Sequence, residues 1–228
     1  MMGMARVRAS YDALAERYAE EIGDELIGKP VDRALYGCFA ELVRERSGAG
    51  QPVGDVGCGP GHVCRYLAGL GLRVVGVDIS PGMVRVARLR HPHLRFEVGT
   101  FARLPAGDGE WAGAVVPYSI IHLDSDGRRA AFAELARVVA AEGWLLVSFH
   151  VSDAESGSGQ SRRLTQWWGT EVDLDVHFLD PAEVAADMVA AGFTVFSRTD
   201  REPWPEVEHA SRRSFLLARR EPPDAGRA

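Results

Sequence analysis

Lysine is almost missing from this chain. It occurs once, at Lys29, and every other strongly basic side chain is an arginine. Arginine codons can be GC-rich and lysine codons cannot, so the skew points to a GC-rich bacterial genome and carries no functional weight. Cysteine is sparse too. Cys38, Cys58 and Cys64 form an odd set, which argues against a disulfide framework. Cys58 and Cys64 have no second pair at zinc-site spacing, so no metal is expected. No apolar run approaches the ~18–20 residues of a membrane span. The opening MMGMARVRASYD lacks the apolar core of a signal peptide. The expected location is the cytoplasm, with no membrane partner. Positive charge is in deficit, at 26 Lys and Arg against 32 Asp and Glu, for a net charge of −6. That balance argues against a nucleic-acid partner.

What is present is an ordinary globular composition. The 228 residues are 46% hydrophobic and 25% charged, enough for one domain with a full core, as a monomer or a homodimer. Apolar residues at helical spacing predict helices over 10–21, with Ser10 as N-cap, and over 31–46. From residue 52 the pattern alternates. Strands are expected at 52–56, 72–79, 94–98, 112–118 and 143–150, and helices at 62–71, 81–90 and 125–142. Short apolar strands between helices call for an α/β fold with a parallel sheet covered on both faces. Ligands then sit at the carboxyl ends of the strands: 55–57, Asp78, 99–101, 117–119 and His150. Residues 151–162 are polar and turn-rich and read as a mobile loop. Residues 164–179 alternate around Gly169 as a strand pair, 181–192 read as a helix, and 193–199 with 214–220 as a closing hairpin. The expected organisation is an N-terminal helical lid (1–48), an α/β domain (49–220) with a cap segment at 151–180, and a flexible tail (221–228).

The stretch VGDVGCGPGH (53–62) carries the chemistry. A strand ending in Gly57, Gly59 and Gly61 lets the backbone turn tightly beside a ligand, and the following helix offers free N–H groups. A dinucleotide fold uses G-x-G-x-x-G at this corner. Here the spacing is G-x-G-x-G, and Asp55 would repel a pyrophosphate. A ligand with an ammonium group suits that acid. Asp78, at the end of the next strand, can accept both hydroxyls of an adenosine ribose.

At these residues the sequence resembles the class I S-adenosylmethionine-dependent methyltransferases. VGDVGCGPG resembles the family's first motif and VVGVDISPGMV (74–84) its second. VGTFARLP (98–105), AGAVVPYSIIHL (112–123) and LARVVAAEGWLLV (135–147) resemble its later segments. The resemblance implies a doubly wound, seven-stranded, mostly parallel sheet in the order 3-2-1-4-5-7-6, its last strand antiparallel, with an N-terminal helical lid. It implies S-adenosylmethionine as cofactor, S-adenosylhomocysteine as product and no metal. Asp55, Gly57, Cys58 and Gly59 would face the donor's amino-acid end, Asp78 the ribose, and Ile79 and Met83 the adenine. Thr100 stands where the family often has an aspartate toward the adenine amino group. Phe101, Pro117 and Tyr118 complete the strand ends, and Tyr11 and Tyr18, seven apart on one helix face, would reach over the donor. The implied function is methyl transfer to a small-molecule acceptor, on O or N, in bacterial specialised metabolism. The alternatives are a non-catalytic S-adenosylmethionine-binding protein on the same fold and an NAD-dependent oxidoreductase, which the glycine spacing disfavours.

His122, just past the fourth strand, is the candidate general base, because histidine titrates near neutrality. His150 at the end of the fifth strand, the Trp167–Trp168 pair and His177 are candidate acceptor contacts. Adjacent strand residues face opposite ways, so one tryptophan is expected to pack inward while the other lines a pocket. His62 reads as structural, and Arg212 and Arg213 as surface residues.

Overall fold

Two helices open the chain, α1 (Met2–Ile22) and α2 (Pro30–Ser47), joined by a 3₁₀ turn at Glu25–Gly28. The alternation follows: β1 (Val53–Val56), α3 (His62–Gly69), β2 (Val74–Asp78), α4 (Pro81–Arg90), β3 (Arg95–Val98) and β4 (Trp111–Pro117). After a second 3₁₀ turn at Ile120–His122 come α5 (Ser125–Val138), β5 (Val139–Asp153), β6 (Ser161–Trp167), β7 (Thr170–His177), α6 (Pro181–Ala190), β8 (Phe193–Arg201) and β9 (Ser211–Arg220). The computed structural model describes residues 2–47 and 50–222. The expected lid boundary at 48 and most of the expected flexible tail lie outside the described residues. Among those residues no helix is long and apolar enough to cross a membrane.

Seven strands form one sheet in the order β3-β2-β1-β4-β5-β9-β8. β9 runs antiparallel to both neighbours, and the other pairs are parallel. This is the order that the family resemblance implied. Every residue of β1 and β2 is buried, as a parallel sheet with two covered faces demands. One core, with Phe132, Leu135 and Phe149, packs on the α5–α6 side; the other, with Phe39, Cys64 and Leu67, packs on the α2–α3 side. The caps are local. Ser80 accepts the Met83 N–H and Asp180 accepts those of Ala182 and Glu183, each ahead of a proline at the first helical position.

Three elements depart from expectation. α1 begins at Met2, so Ser10 is no cap. Its hydroxyl bonds the Arg6 carbonyl one turn back at 2.9 Å and receives the Asp173 N–H at 2.8 Å. The helix extends because Val7 and Leu14 bury against Val172 and Leu174 of β7. α5 stops at Val138 because Val139 pairs with Trp111 in the sheet; strand pairing overrides the helix propensity of the alanines that follow. The loop expected over 151–162 is shorter. β5 runs on to Asp153, whose carboxylate accepts the Glu155 and Ser156 N–H groups and ties the turn down.

Candidate active site

The carboxyl ends of β1, β2 and β4 open into a cleft of about 1030 Å³, part of it open to solvent. Asp55 and Asp78 stand on its wall beside Gly57 and Gly59. The glycine loop is pinned from behind. Gly57 and Cys58 both donate to the Val77 carbonyl, at 2.7 and 3.1 Å. Gly57 has φ +81, and a Cβ there would lie 2.2 Å from the Ser119 side chain, so only glycine fits. Gly59 has φ +51 and is otherwise open, with only Tyr18 within reach of a Cβ. Its N–H donates to one Asp78 oxygen at 2.9 Å while the Ser80 N–H donates to the other at 2.8 Å. The Asp78 carboxylate is therefore fixed at the end of β2. Asp55 is fully buried; one oxygen receives the Cys64 thiol at 3.0 Å and the other has no partner among the described residues. Burial pushes both carboxyls up to about 6 from their usual 3.8. An unpaired buried carboxylate oxygen is costly, and a ligand ammonium fits it. The residues present thus fit a donor with an amino-acid end and a ribose.

α1 covers one side of the cleft. Asp12 accepts the Ser80 hydroxyl at 2.6 Å and the Gly82 N–H at 2.7 Å, tying the helix to the start of α4. Arg6 pairs with Asp173 and Asp175 and ties it to β7. Tyr11 and Tyr18 stand edge-to-face at 5.8 Å between ring centroids. Tyr11 Oη lies 2.7 Å from His122 Nε2, and His122 Nδ1 lies 2.9 Å from the Asp175 carbonyl. A carbonyl only accepts, so Nδ1 carries the proton and Nε2 accepts from the tyrosine. Both nitrogens of His122 are engaged, and burial lowers its basicity to about 4.

All fourteen residues nominated for donor binding or as base line this one cleft: Tyr11, Tyr18, Asp55, Gly57, Cys58, Gly59, Asp78, Ile79, Met83, Thr100, Phe101, Pro117, Tyr118 and His122. Residues 53–143, from β1 into β5, match the family model described as a methyltransferase domain. Over this segment the chain is similar in sequence to S-adenosylmethionine-dependent methyltransferases of class I, and it shares their fold. It is 29% identical over 144 residues to the demethylmenaquinone methyltransferase of Renibacterium salmoninarum, covering 62% of this chain and 57% of that one. It is 34% identical over 104 residues to the N-demethylindolmycin N-methyltransferase of Streptomyces griseus, covering 42% of this chain and 43% of that one. The chain thus spans about half the length of these curated relatives. In fold it matches the magnesium protoporphyrin IX methyltransferase of Synechocystis with bound S-adenosylhomocysteine, at a TM-score of 0.71, 19% identity, and coverage of 96% and 100%.

The chain places a further polar group on the cleft wall that its sequence did not single out. Glu25, Asp32 and Tyr36 line it, together with His62. Asp32 and Tyr36 lie four apart on α2, so they share a helix face; that spacing was the available signal. Behind this wall is a buried ion network. Lys29 pairs with Glu25 at 2.7 Å and Glu208 at 3.0 Å, and Arg201 pairs with Asp32 at 2.8 Å. Arg213 lies 3.2 Å from Glu208 and is 3% exposed, so it is no surface residue. Arg212 is half-exposed.

The four nominated acceptor contacts stand off the cleft wall. His150 stacks on Tyr118 at 5.0 Å and bonds Ser211 through Nδ1 at 2.7 Å. His177 ends β7, opposite Ser161. Trp167 and Trp168 do not face opposite ways. Trp168 has φ +48 and Gly169 φ +78, the signs of a two-residue type I′ hairpin turn. That turn stacks the two indoles at 4.9 Å, and both rings approach Tyr18.

Proposed function

We propose that this protein transfers a methyl group from S-adenosylmethionine to an O or N atom of a small-molecule acceptor, in the cytoplasm and in specialised metabolism. The observation that carries the reading is the pairing, in one cleft, of the unpartnered Asp55 oxygen with the backbone-held Asp78 carboxylate. Bound S-adenosylmethionine supplies a methyl already activated on a sulfonium sulfur. The chain's own part is to hold and align. Asp55 takes the ammonium, Asp78 the ribose hydroxyls, and Ile79, Met83, Thr100 and Phe101 the adenine side. Tyr11 and Tyr18 cover the donor from α1 and exclude water. Alignment alone contributes about 7–11 kcal/mol to such a displacement. Calorimetric titration with S-adenosylhomocysteine, with NAD as comparison, tests the reading; binding of NAD in preference would sink it.

Donor affinity is expected to follow pH through the two acids. Their carboxyls titrate near 6 in the free protein, and the ionised forms do the holding. For the free fold, the raised values mean that their contribution to stability is full below 3.8 and lost as pH rises through about 6. For the ligand the sign reverses. Affinity is full above about pH 7 and falls by up to about tenfold per unit and per carboxylate below 6. An unchanged Kd between about pH 7.5 and pH 5 would remove both acids from the donor site.

His122 in this reading positions Tyr11 rather than taking a proton. Loss of a general base costs about 10²–10⁴-fold; loss of a positioning contact costs far less. His122→Ala is expected to slow single-turnover methyl transfer by about tenfold or less, and a loss above about 100-fold would restore it as the base.

A further inference from the structure

Two histidines, His62 and His122, line the cleft. Both nitrogens of His122 are taken, by Tyr11 and by the Asp175 carbonyl. His62 is different. Its Nε2 lies 3.4 Å from a Glu25 oxygen, and its Nδ1 is buried with no partner among the described residues. The ring sits at the first residue of α3, held there by the left-handed Gly61 at the N-cap. Glu25 is itself held. Burial would raise its carboxyl, but His62 and Lys29 outweigh burial and keep it ionised, at about 2. A fixed carboxylate on one imidazole nitrogen and a free second nitrogen is the arrangement of a general base with its orienting acid.

We propose that Glu25 and His62 form the proton-taking dyad of this cleft, and that the acceptor is a hydroxyl compound, phenolic or enolic. The inference rests on the reading of the cleft as a methyl-donor site. An amine needs no base at the moment of attack, whereas a hydroxyl does. His62 Nδ1 takes the hydroxyl proton. The oxygen lone pair forms the new bond to the methyl carbon, and the carbon–sulfur pair stays on sulfur, leaving S-adenosylhomocysteine and the methyl ether. Glu25 keeps the ring oriented and offsets the positive charge that forms on it. The proton then has an exit. His62 also borders a second, shallower cleft with Asp24, Arg65, Arg90 and His91, and water there can carry it off. The charged groups around the ring are therefore Glu25 and Asp55 on the main cleft, with those four on the outer one.

A second buried group supports a hydroxyl-bearing occupant. The Tyr118 hydroxyl has no partner among the described residues. Its residue is held at φ +51, a conformation that costs energy in a non-glycine and clusters at functional sites. The ring is braced by His150 on one side, with Lys29 and Arg213 at 6.0 and 5.7 Å from its centroid. The Tyr118 O–H can donate to the acceptor oxygen as its proton leaves toward His62.

The test uses the full chain loaded with S-adenosylhomocysteine, and 4-nitrophenol as a probe whose ionised form absorbs visible light. Calorimetry first establishes that wild type and His62→Gln bind S-adenosylhomocysteine alike; failure of the wild type to bind it would overturn the donor reading and this inference together. With donor product bound, the wild type is expected to bind the phenol saturably and to ionise it about one pH unit below the free compound. His62→Gln is expected to lose that shift, and Glu25→Gln to lose most of it. In turnover with S-adenosylmethionine, a phenol panel is expected to be methylated and an amine panel not, with His62→Gln slowed at least about 100-fold and the acidic limb of its pH profile flattened. Three results would each overturn the dyad while leaving the donor reading intact. They are absence of phenol binding, a shift retained in His62→Gln, and methylation of amines alone.

Discussion

Asp78→Ala is expected to abolish measurable binding of S-adenosylhomocysteine. The carboxylate is 8% exposed and held from behind by the Gly59 and Ser80 N–H groups, one on each oxygen. Each oxygen keeps a lone pair for a ligand hydroxyl. Hydrogen bonds to a charged group contribute about 1.5–3 kcal/mol apiece. Two of them amount to about 3–6 kcal/mol, or about 10²–10⁴-fold in Kd. The substitution also frees the Gly59 N–H, so the glycine loop loses its tie to β2. Asp78→Asn separates the two effects, because its amide oxygen still accepts one backbone N–H while its NH₂ meets the other. Asparagine is expected to weaken binding less than alanine. Calorimetry on both variants, with thermal melts to verify the fold, checks the expectation. A Kd within about tenfold of wild type for Asp78→Ala would take Asp78 out of the donor site.

The donor half of this site was legible in the sequence because its residues sit where the chain must do something local. A strand end, a glycine turn and an acid are neighbours in sequence and in space, so VGDVGCGPG and Asp78 announce themselves. The alternation of strands and helices gives a parallel α/β sheet, while the order of its strands came from the family resemblance that those motifs carry. The proposed acceptor half is assembled from far apart. Glu25 and Asp32 come from the N-terminal segment and His62 from α3, while the Lys29, Arg201 and Glu208 network that fixes them joins residues up to 179 positions apart. No local spacing encodes such a cluster. Trp167 and Trp168 failed for a different reason. The argument that neighbours on a strand face opposite ways holds only within the strand, and Trp168 sits in the turn at positive φ. Arg213 was misplaced because β9 lies between β5 and β8 and is buried from Arg213 to Ala218, and the Arg213 guanidinium meets the buried Glu208 carboxylate.

Glu208→Ala is expected to produce the largest loss of stability of any single substitution considered. The Glu208 side chain is 2% exposed and meets three cations, Lys29 at 3.0 Å, Arg213 at 3.2 Å, and Arg201 through its two terminal guanidinium nitrogens. It also accepts the Trp204 N–H at 2.8 Å. Burial would raise its carboxyl, but Arg201 and the other donors hold it at about 2. Glu25, Asp32 and Glu208 stand against Lys29, Arg201 and Arg213. Removing Glu208 leaves three buried cations facing two carboxylates. Breaking a buried pair from one side costs about 3–5 kcal/mol. For a domain of this size that lowers Tm by roughly 6–20 °C. Glu202→Ala, which removes an exposed partner 3.6 Å from Arg212, is the control and is expected to change stability by less than about 0.5 kcal/mol. The pH dependence gives a second reading of the same group. A carboxyl held at about 2 against an ordinary 4.5 contributes stability that is complete above 4.5 and is lost as pH falls toward 2. The gap between wild type and Glu208→Ala should therefore narrow over that window. The consequence reaches the cleft, because Lys29 joins Glu208 to Glu25 and Arg201 joins it to Asp32. Without the shared anion Lys29 and Arg201 lose the group that anchors them, so the two wall carboxylates lose their fixed orientation. The variant is thus expected to bind S-adenosylhomocysteine nearly as well as wild type below its melting range, yet to lose the ionisation shift of a bound phenol. A Tm within about 3 °C of wild type would mean that the network relaxes around the gap and that Glu208 does not hold the acceptor wall in place.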